Sequence, residues 1–194
     1  MDFKDSKTFQ NLVNGFAGES QARNRYTFYA GVAKNEGHQA IQNIFISTAD
    51  NEKEHAKVFY KFLQKYAGDQ TEVFRVNADY PLNYRDTLAN LKSAAAGEGE
   101  EVIDYNTFAD IADEEGYADI AVAFRKIATV EAHHQERYAR LAAELENGTL
   151  YKKDQKISWK CENCGYVHEG SGAPDLCPAC QHPQGYFKPL PEVY

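Results

Sequence analysis

The first 160 residues of this 194-residue chain contain no cysteine. Disulfides therefore cannot frame most of the fold, and the four Cys that exist all lie between residues 161 and 180, a clustering that the scattered bridges of a secreted protein do not produce. A basic excess is missing as well. With 21 Lys and Arg against 29 Asp and Glu the net charge is −8 and the pI is near 5.3, which disfavours nucleic acid and anionic membranes as partners, because a phosphate backbone is bound through surplus cations. No stretch of about 18 apolar residues is present to span a bilayer. The N-terminus MDFKDSKTFQ shows no apolar run of the kind a secretion signal needs. The expectation is a soluble cytoplasmic protein, in which the sequon-like Asn147-Gly148-Thr149 is accidental.

Helix breakers are also sparse between residues 6 and 147, where apolar residues recur at spacings of three and four. Gly37 and Gly116 mark two sharp stops; Gly68, the stretch 69–86 with Pro81, and Gly148 mark further boundaries. The pattern predicts helices over 6–35, 38–66, 86–114 and 117–146, an all-α four-helix bundle with one long crossover. The length suits one sizeable core and a small appendage, divided as residues 1–150 and 151–194.

The helical part repeats. A shift of 79 residues lays Ala17-Gly18-Glu19 on Ala96-Gly97-Glu98, Tyr26 on Tyr105, Glu36-Gly37 on Glu115-Gly116 and Phe45 on Phe124. The same shift lays Glu52 and His55 on Glu131 and His134, the only two Glu-x-x-His matches in the chain. One such match says little, since about half a match is expected by chance in this composition. Two at equivalent places in a duplication say more. In an antiparallel helix pair, residues at one height lie symmetrically about the turn, and the midpoints of Glu19 with Glu52 and of Glu98 with Glu131 fall in the turns at Gly37 and Gly116. Each Glu stands about 16 residues, or roughly 25 Å, from its turn, so four carboxylates and two imidazoles meet mid-bundle.

Most helix Glu face water, but small residues beside these acids, with Phe16, Phe28, Phe45 and Phe124 nearby, predict buried surroundings. Buried carboxylates without counter-charge cost several kcal/mol each, so the cluster calls for cations. One Glu from each of two helices plus Glu-x-x-His from each of the other two is the known ligand pattern of ferritin-like di-iron and di-manganese bundles. Oxygen-rich ligation with one imidazole per ion suits iron or manganese. Glu52 and Glu131 are the expected bridges and Glu19 and Glu98 the expected terminal ligands. Glu101, whose counterpart is Ala22, lies one turn after Glu98 and can bring a fifth carboxylate. Tyr26 and Tyr105, two turns beyond Glu19 and Glu98, are placed to hydrogen-bond to ligands. His133 points about 100° away from His134 and is not an expected ligand. His38, at a turn, is expected to face solvent, as are His168 and His182.

Cys161-x-x-Cys164 and Cys177-x-x-Cys180 form two knuckles able to enclose one tetrahedral ion. Four sulfurs suit zinc and iron alike. Trp159, Tyr166, Tyr186 and Phe187 can supply a small core beside the metal.

With the helical ligands followed by Cys-Glu-Asn-Cys-Gly-Tyr and Cys-Pro-Ala-Cys, nearly the whole chain resembles the rubrerythrin family, in which a ferritin-like di-iron bundle precedes a small rubredoxin-like β/loop domain. The resemblance implies that Glu19, Glu52, His55, Glu98, Glu131 and His134 hold two irons, with Glu101 the additional carboxylate that exchanges with His55 as oxidation state changes. It implies a redox-active iron on Cys161, Cys164, Cys177 and Cys180. Glu101, Tyr26 and Tyr105 are the expected catalytic groups. The implied activity is reduction of hydrogen peroxide to water, with electrons from a reduced rubredoxin or an NADH-dependent reductase, by a homodimer. One departure stands out: the family's third helix carries one more residue before the aromatic matching Phe108, so a π-bulge there is absent or displaced and Glu100 competes with Glu101 for the fifth position. A ferroxidase and iron-storage protein, or a manganese catalase-like bundle, would explain the helices but leave the cysteines without a use.

Overall fold

The computed structural model describes residues 2–68 and 73–190. Part of the predicted crossover, residues 69–72, and the last four residues of the appendage lie outside the described residues. After a short 3-10 turn, Phe3–Asp5, come four long helices: α1, Lys7–Asn35; α2, Gln39–Ala67; α3, Thr87–Glu114; and α4, Ala118–Glu146. Each begins one residue later than the sequence pattern predicts, because the predicted first residue is the N-cap. Ser6 and Asp86 cap α1 and α3 by accepting from Phe9 N and Ala89 N, while His38 and Tyr117 stand at the starts of α2 and α4 without a side-chain cap.

The two turns repeat as their sequences do. Gly37 and Gly116 adopt φ of 86° and 89°, a left-handed conformation that a β-carbon would strain. His38 N and Tyr117 N reach back to the carbonyls of Ala33 and Ala112 at 2.8 and 2.7 Å, ending α1 and α3 in the same 6→1 motif. The glutamates beside these glycines tie the hairpins together reciprocally. Glu36, at the end of α1, accepts from Thr87 N at the start of α3 at 2.9 Å; Glu115, at the end of α3, accepts from Lys7 N and Thr8 N at the start of α1 at 3.0 and 2.8 Å. A carboxylate at a helix N-terminus meets free N–H groups and the positive end of the dipole. Helices α1 and α3 are thereby held antiparallel. The crossover, residues 73–86, runs back along them without helix or strand.

Two apolar clusters fill the bundle. One, toward the α1–α2 turn, packs Tyr26, Tyr29, Ile41, Phe45, Leu91 and Tyr138. The other, toward the α3–α4 turn, packs Leu12, Phe59, Tyr105, Ile120, Phe124 and Ile127. Between them lies a polar layer in which Glu19, Glu52, Glu98 and Glu131 are each wholly buried. Phe45 and Phe124 belong to the clusters and Phe16 is half-buried, but Phe28 is 58% exposed, which corrects its expected burial. Its ring meets Tyr84 of the crossover edge-on at 6.5 Å instead of entering the core.

Leu150 packs into the bundle, whereas Tyr151 touches both the bundle and the core of the C-terminal module. That module is an antiparallel sheet of β1 (Lys152–Cys161), β2 (Val167–Gly172) and β3 (Phe187–Pro189), ordered β2-β1-β3. Trp159 and Phe187 are buried against Cys161 and Cys177, with Tyr166 and Tyr186 half-buried around them. Trp159 Nε1 donates to Gly170 O at 3.0 Å.

The module docks on the α1–α2 turn. His38 is not free in solvent there: it stacks on Tyr151 and lies 2.9 Å from its hydroxyl, and burial holds its pKa below the usual value. Asn43 donates to Glu162, and Lys153 pairs with Glu144. Gly185 lies so close to Gly37 that a β-carbon would overlap the Gly37 carbonyl oxygen. Replacing Gly185 with Val is therefore expected to open the docking at a cost of about 1–3 kcal/mol. Amide hydrogen exchange over residues 37–43 should rise while the melting of the helices is unchanged; exchange that stays at the wild-type level would show that the contact yields without strain.

Candidate metal centre

The polar layer is built by four helices, each contributing from the face that its hydrophobic period turns inward. Three and four residue spacings put Glu52 with His55 and Glu131 with His134 on inward faces of α2 and α4, and Glu19 and Glu98 face them from α1 and α3. Ligand atoms of Glu19, Glu52, His55 and Glu131 all fall within 4.8 Å of one another, and so do those of Glu52, Glu98, Glu131 and His134. Glu52 and Glu131 are members of both groups. His55 Nδ1 lies 2.9 Å from Glu52 and 2.8 Å from Glu131, and His134 Nδ1 lies 3.2 and 2.8 Å from the same two carboxylates. Glu19 is 3.7 Å from His55 only, and Glu98 is 3.6 Å from His134 only.

These contacts are short, yet none of them is aligned as a hydrogen bond. Both oxygens of Glu52 and of Glu131, Oε2 of Glu19, Glu98 and Glu101, and Nδ1 of both histidines are buried without a hydrogen-bond partner. Such a concentration of unsatisfied acceptors is what a pair of divalent cations would resolve. The donor set of carboxylates with one imidazole per pocket fits hard or borderline ions such as iron. In the ion-free protein protons take the place of the metals. Burial pushes Glu98 up to about 8 and raises Glu19 well above the ordinary carboxylate range. Burial works against a charged His134, but the carboxylates of Glu131, Glu52 and Glu98 outweigh it and raise the imidazole to about 11. His55 is raised by the same balance, against Glu131, Glu19 and Glu52. Burial also opposes ionisation of Glu131, yet the two imidazoles beside it hold it below its usual value.

Tyr26 and Tyr105 cross the bundle. Tyr26 on α1 donates to Glu98 on α3 at 2.7 Å, and Tyr105 on α3 donates to Glu19 on α1 at 2.6 Å. Each tyrosine belongs to one apolar cluster, so each carboxylate is oriented from the layer next to it. α3 is α-helical throughout, with no π-turn. Its Glu101 turns inward, where burial first and then Glu19 and Glu98 raise its pKa, whereas Glu100 is exposed. His133 is exposed too.

Three polar residues were not singled out by the sequence pattern. Tyr138 is one turn beyond His134, fully buried, with its hydroxyl unpartnered; burial first, and then the Glu98 charge, raise its pKa. The i, i+4 spacing from a ligand was the available signal. Tyr80 of the crossover rests over Gly18, and Arg25 of α1 over Gly97; neither carries a motif.

In the C-terminal module the four thiols are free and close on one point, with Sγ distances of 3.8 Å from Cys161 to Cys180 and 3.7 Å from Cys164 to Cys177. The His182 backbone N–H lowers the Cys180 thiol to about 6, which favours the thiolate that a metal ligand must be. His182 Nδ1 also lies 3.1 Å from Cys180 O, and its ring meets Tyr186 edge-on, so it is half-buried and not a free surface residue.

Comparison with known proteins matches both parts. The family model described as rubrerythrin covers residues 10–149, and that of the rubrerythrin rubredoxin-like domain covers residues 159–188. The chain is 51% identical to rubrerythrin of Clostridium perfringens over 98% of each protein. It is 47% identical to rubrerythrin of Nitratidesulfovibrio vulgaris over 96% of each. Among solved structures, nigerythrin in a mixed-valence state aligns with a TM-score of 0.62 at 29% identity, covering 96% of this chain and 90% of that one. A bacterioferritin of Desulfovibrio desulfuricans aligns with a TM-score of 0.67 at 19% identity over 74% of this chain and 82% of its own, a likeness of fold. A ferritin-like bundle with a di-iron carboxylate and histidine cluster, continued by a four-cysteine rubredoxin-like iron module, makes this chain a member of the rubrerythrin family.

Proposed function

We propose that the protein is a non-haem di-iron peroxidase that reduces hydrogen peroxide to water, H2O2 + 2 e− + 2 H+ → 2 H2O, and so protects a cytoplasm against oxidative stress. The observation that carries this reading is the presence of two different metal sites in one chain: a buried pair of pockets sharing Glu52 and Glu131, and a cysteine cage on a module docked to the same bundle. Storage or ferroxidation needs only the first. In this reading Glu19, Glu52, His55 and Glu131 hold one iron, Glu98, Glu52, His134 and Glu131 the other, and Cys161, Cys164, Cys177 and Cys180 a third. When bound, the iron pair supplies the two electrons that cleavage of the O–O bond consumes, and the cysteine-held iron replaces them one at a time.

The protein's part is to hold geometry and protons. Tyr26 and Tyr105 keep Glu98 and Glu19 aimed at their pockets, and burial keeps both phenols protonated by raising their pKa. Glu101 stands beside both pockets with a raised pKa, so its carboxyl can carry a proton to the leaving oxygen or offer its carboxylate as a fifth ligand. Division of labour follows the domain boundary at 150 and 151. The cysteine module sits toward the turn end of the bundle, with Glu162 on Asn43, more than two helical turns before Glu52. A second copy that brought its own module against the side of the bundle would shorten the electron path, in keeping with a homodimer. The donor to the module is a reduced rubredoxin or an NADH-dependent reductase.

Mixing the reduced, iron-loaded protein with peroxide in a stopped-flow spectrometer should return the absorption of the cysteine-bound ferric site, with steady NADH consumption once a reductase is present. Evolution of dioxygen would instead identify a catalase, and growth of a mineral core a storage protein. Replacing Glu131 with Ala should remove most iron from both pockets together, leave the cysteine iron in place and cut peroxidase turnover by more than about 100-fold; loss of one ion only would contradict the shared bridge.

Metal loading should also release protons. His134, at about 11 in the ion-free protein, and His55, raised likewise, are both charged at pH 7 and must become neutral to bind, so affinity falls as pH falls. Calorimetry in buffers of different ionisation enthalpy should show about two or more protons leaving per pair of ions; none would mean that the imidazoles do not coordinate.

A further inference from the structure

On the side of the bundle formed by α1 and α3, the crossover roofs a cleft of about 390 Å3 whose lining includes Gly18, Arg25, Tyr80, Gly97, Glu101 and Asp104. It reaches toward the metal-site carboxylates through Glu101 and through Tyr105, which also lines it and donates to Glu19. Arg25 is 7% exposed. Its Nε and Nη1 are buried without a hydrogen-bond partner, and among the described residues it forms no ion pair, its charge resting over the ring of Tyr26 at 5.4 Å. Its Nη2 passes 3.6 Å from where a β-carbon of Gly97 would stand, one helical turn before Glu101 on the same face of α3. A buried guanidinium with idle donors is costly unless something occupies the space it faces.

The duplication sharpens the point. Under the 79-residue shift Arg25 corresponds to Asp104, and Glu101 to Ala22. Among the positions where the halves differ in charge, these two place Arg25, Asp104 and Glu101 on one cleft, on the side where the crossover passes. The cleft offers the Arg25 guanidinium on one wall and the carboxyl groups of Glu101 and Asp104 on the other. A neutral H–O–O–H molecule donates twice and accepts at both oxygens, so it matches both walls. An anion would be repelled by Asp104 and the nearby Glu100. Dioxygen has no proton to donate and gains little from either wall.

We propose that this cleft is the peroxide-binding entrance to the di-iron layer, and that Arg25 is the residue that anchors hydrogen peroxide there and favours it over dioxygen. The proposal rests on the peroxidase reading of the site. The Arg25 donors hold the peroxide oxygens, while the peroxide O–H groups point to Glu101 and Asp104; no bond is made or broken in this step. Tyr80, whose hydroxyl lies 3.3 Å from Asn14 O, closes the roof above Gly18.

Removing uniform binding raises KM and leaves kcat alone. Arg25→Gln is therefore expected to raise the KM for peroxide about tenfold with kcat within about twofold, and Arg25→Lys, which keeps the charge with fewer donors, to fall between. Reoxidation of the reduced variants by dioxygen should match wild type. An unchanged KM, or a fall in peroxide and dioxygen rates by the same factor, would overturn the proposal. A second measurement needs no turnover and no variant: in wild-type protein loaded with redox-inert zinc, titration with hydroxylamine, a peroxide-sized donor and acceptor, should shift the Arg25 Nε–H and Gly97 amide resonances saturably. Absence of that shift would reject the cleft as a binding site. If the iron protein reduced no peroxide at all, the peroxidase reading would fail while this titration still decided what the cleft binds.

Discussion

Everything in this molecule is arranged around a layer of carboxylates that cannot exist as bare charge. Four glutamates are wholly out of water between two apolar clusters, and each ionised carboxylate so placed carries a desolvation penalty of several kcal/mol. In the ion-free protein the layer is compensated by two imidazolium ions and by the protons that burial keeps on Glu19 and Glu98; in the proposed loaded protein two metals would take that part. The helices above and below supply the insulation, the Glu-x-x-His turns supply the compensating groups, and the tyrosines fasten each carboxylate to the packing next to it.

The duplication turns this into an exchange between halves. Glu36 and Glu115 each seal the start of a helix in the other hairpin, and Tyr26 and Tyr105 each hold an acid of the other hairpin. Neither hairpin completes its own polar layer, so the two are specified as a pair. Two of the positions where the halves differ in charge, Glu101 against Ala22 and Arg25 against Asp104, set their charged side chains on the cleft beneath the crossover.

Much of this was legible in the sequence because helix period, turn glycines and duplication are local or arithmetical signals. The helix starts fall one residue after those of the pattern, for the reason that an N-cap belongs to the hydrogen bonding of a helix but not to its dihedrals, while the ends of α1, α3 and α4 coincide with it. The convergence of Glu19, Glu52, Glu98 and Glu131 followed from rise per residue and turn position alone. Periodicity names a face, though, and not what the face meets. Phe28 reads as core and is exposed beside Tyr84, since the crossover and not another helix lies on that side. His38 reads as a surface turn residue and is stacked between modules, because the docking of a distant sheet has no local trace. The tyrosine hydroxyls cross to the opposite hairpin, and Arg25 turns into a cleft, by contacts 72 to 86 residues away in the chain that no spacing rule describes.

The shared position of Glu52 and Glu131 would also govern how the centre fills. With ions bound as proposed, whichever pocket filled first would order both carboxylates that the other pocket needs. The second ion would then meet ligands arranged at the expense of the first, and molecules holding a single ion would redistribute into full and empty ones. Stoichiometry would thus be set by two side chains, and the electron-counting unit would be the pair.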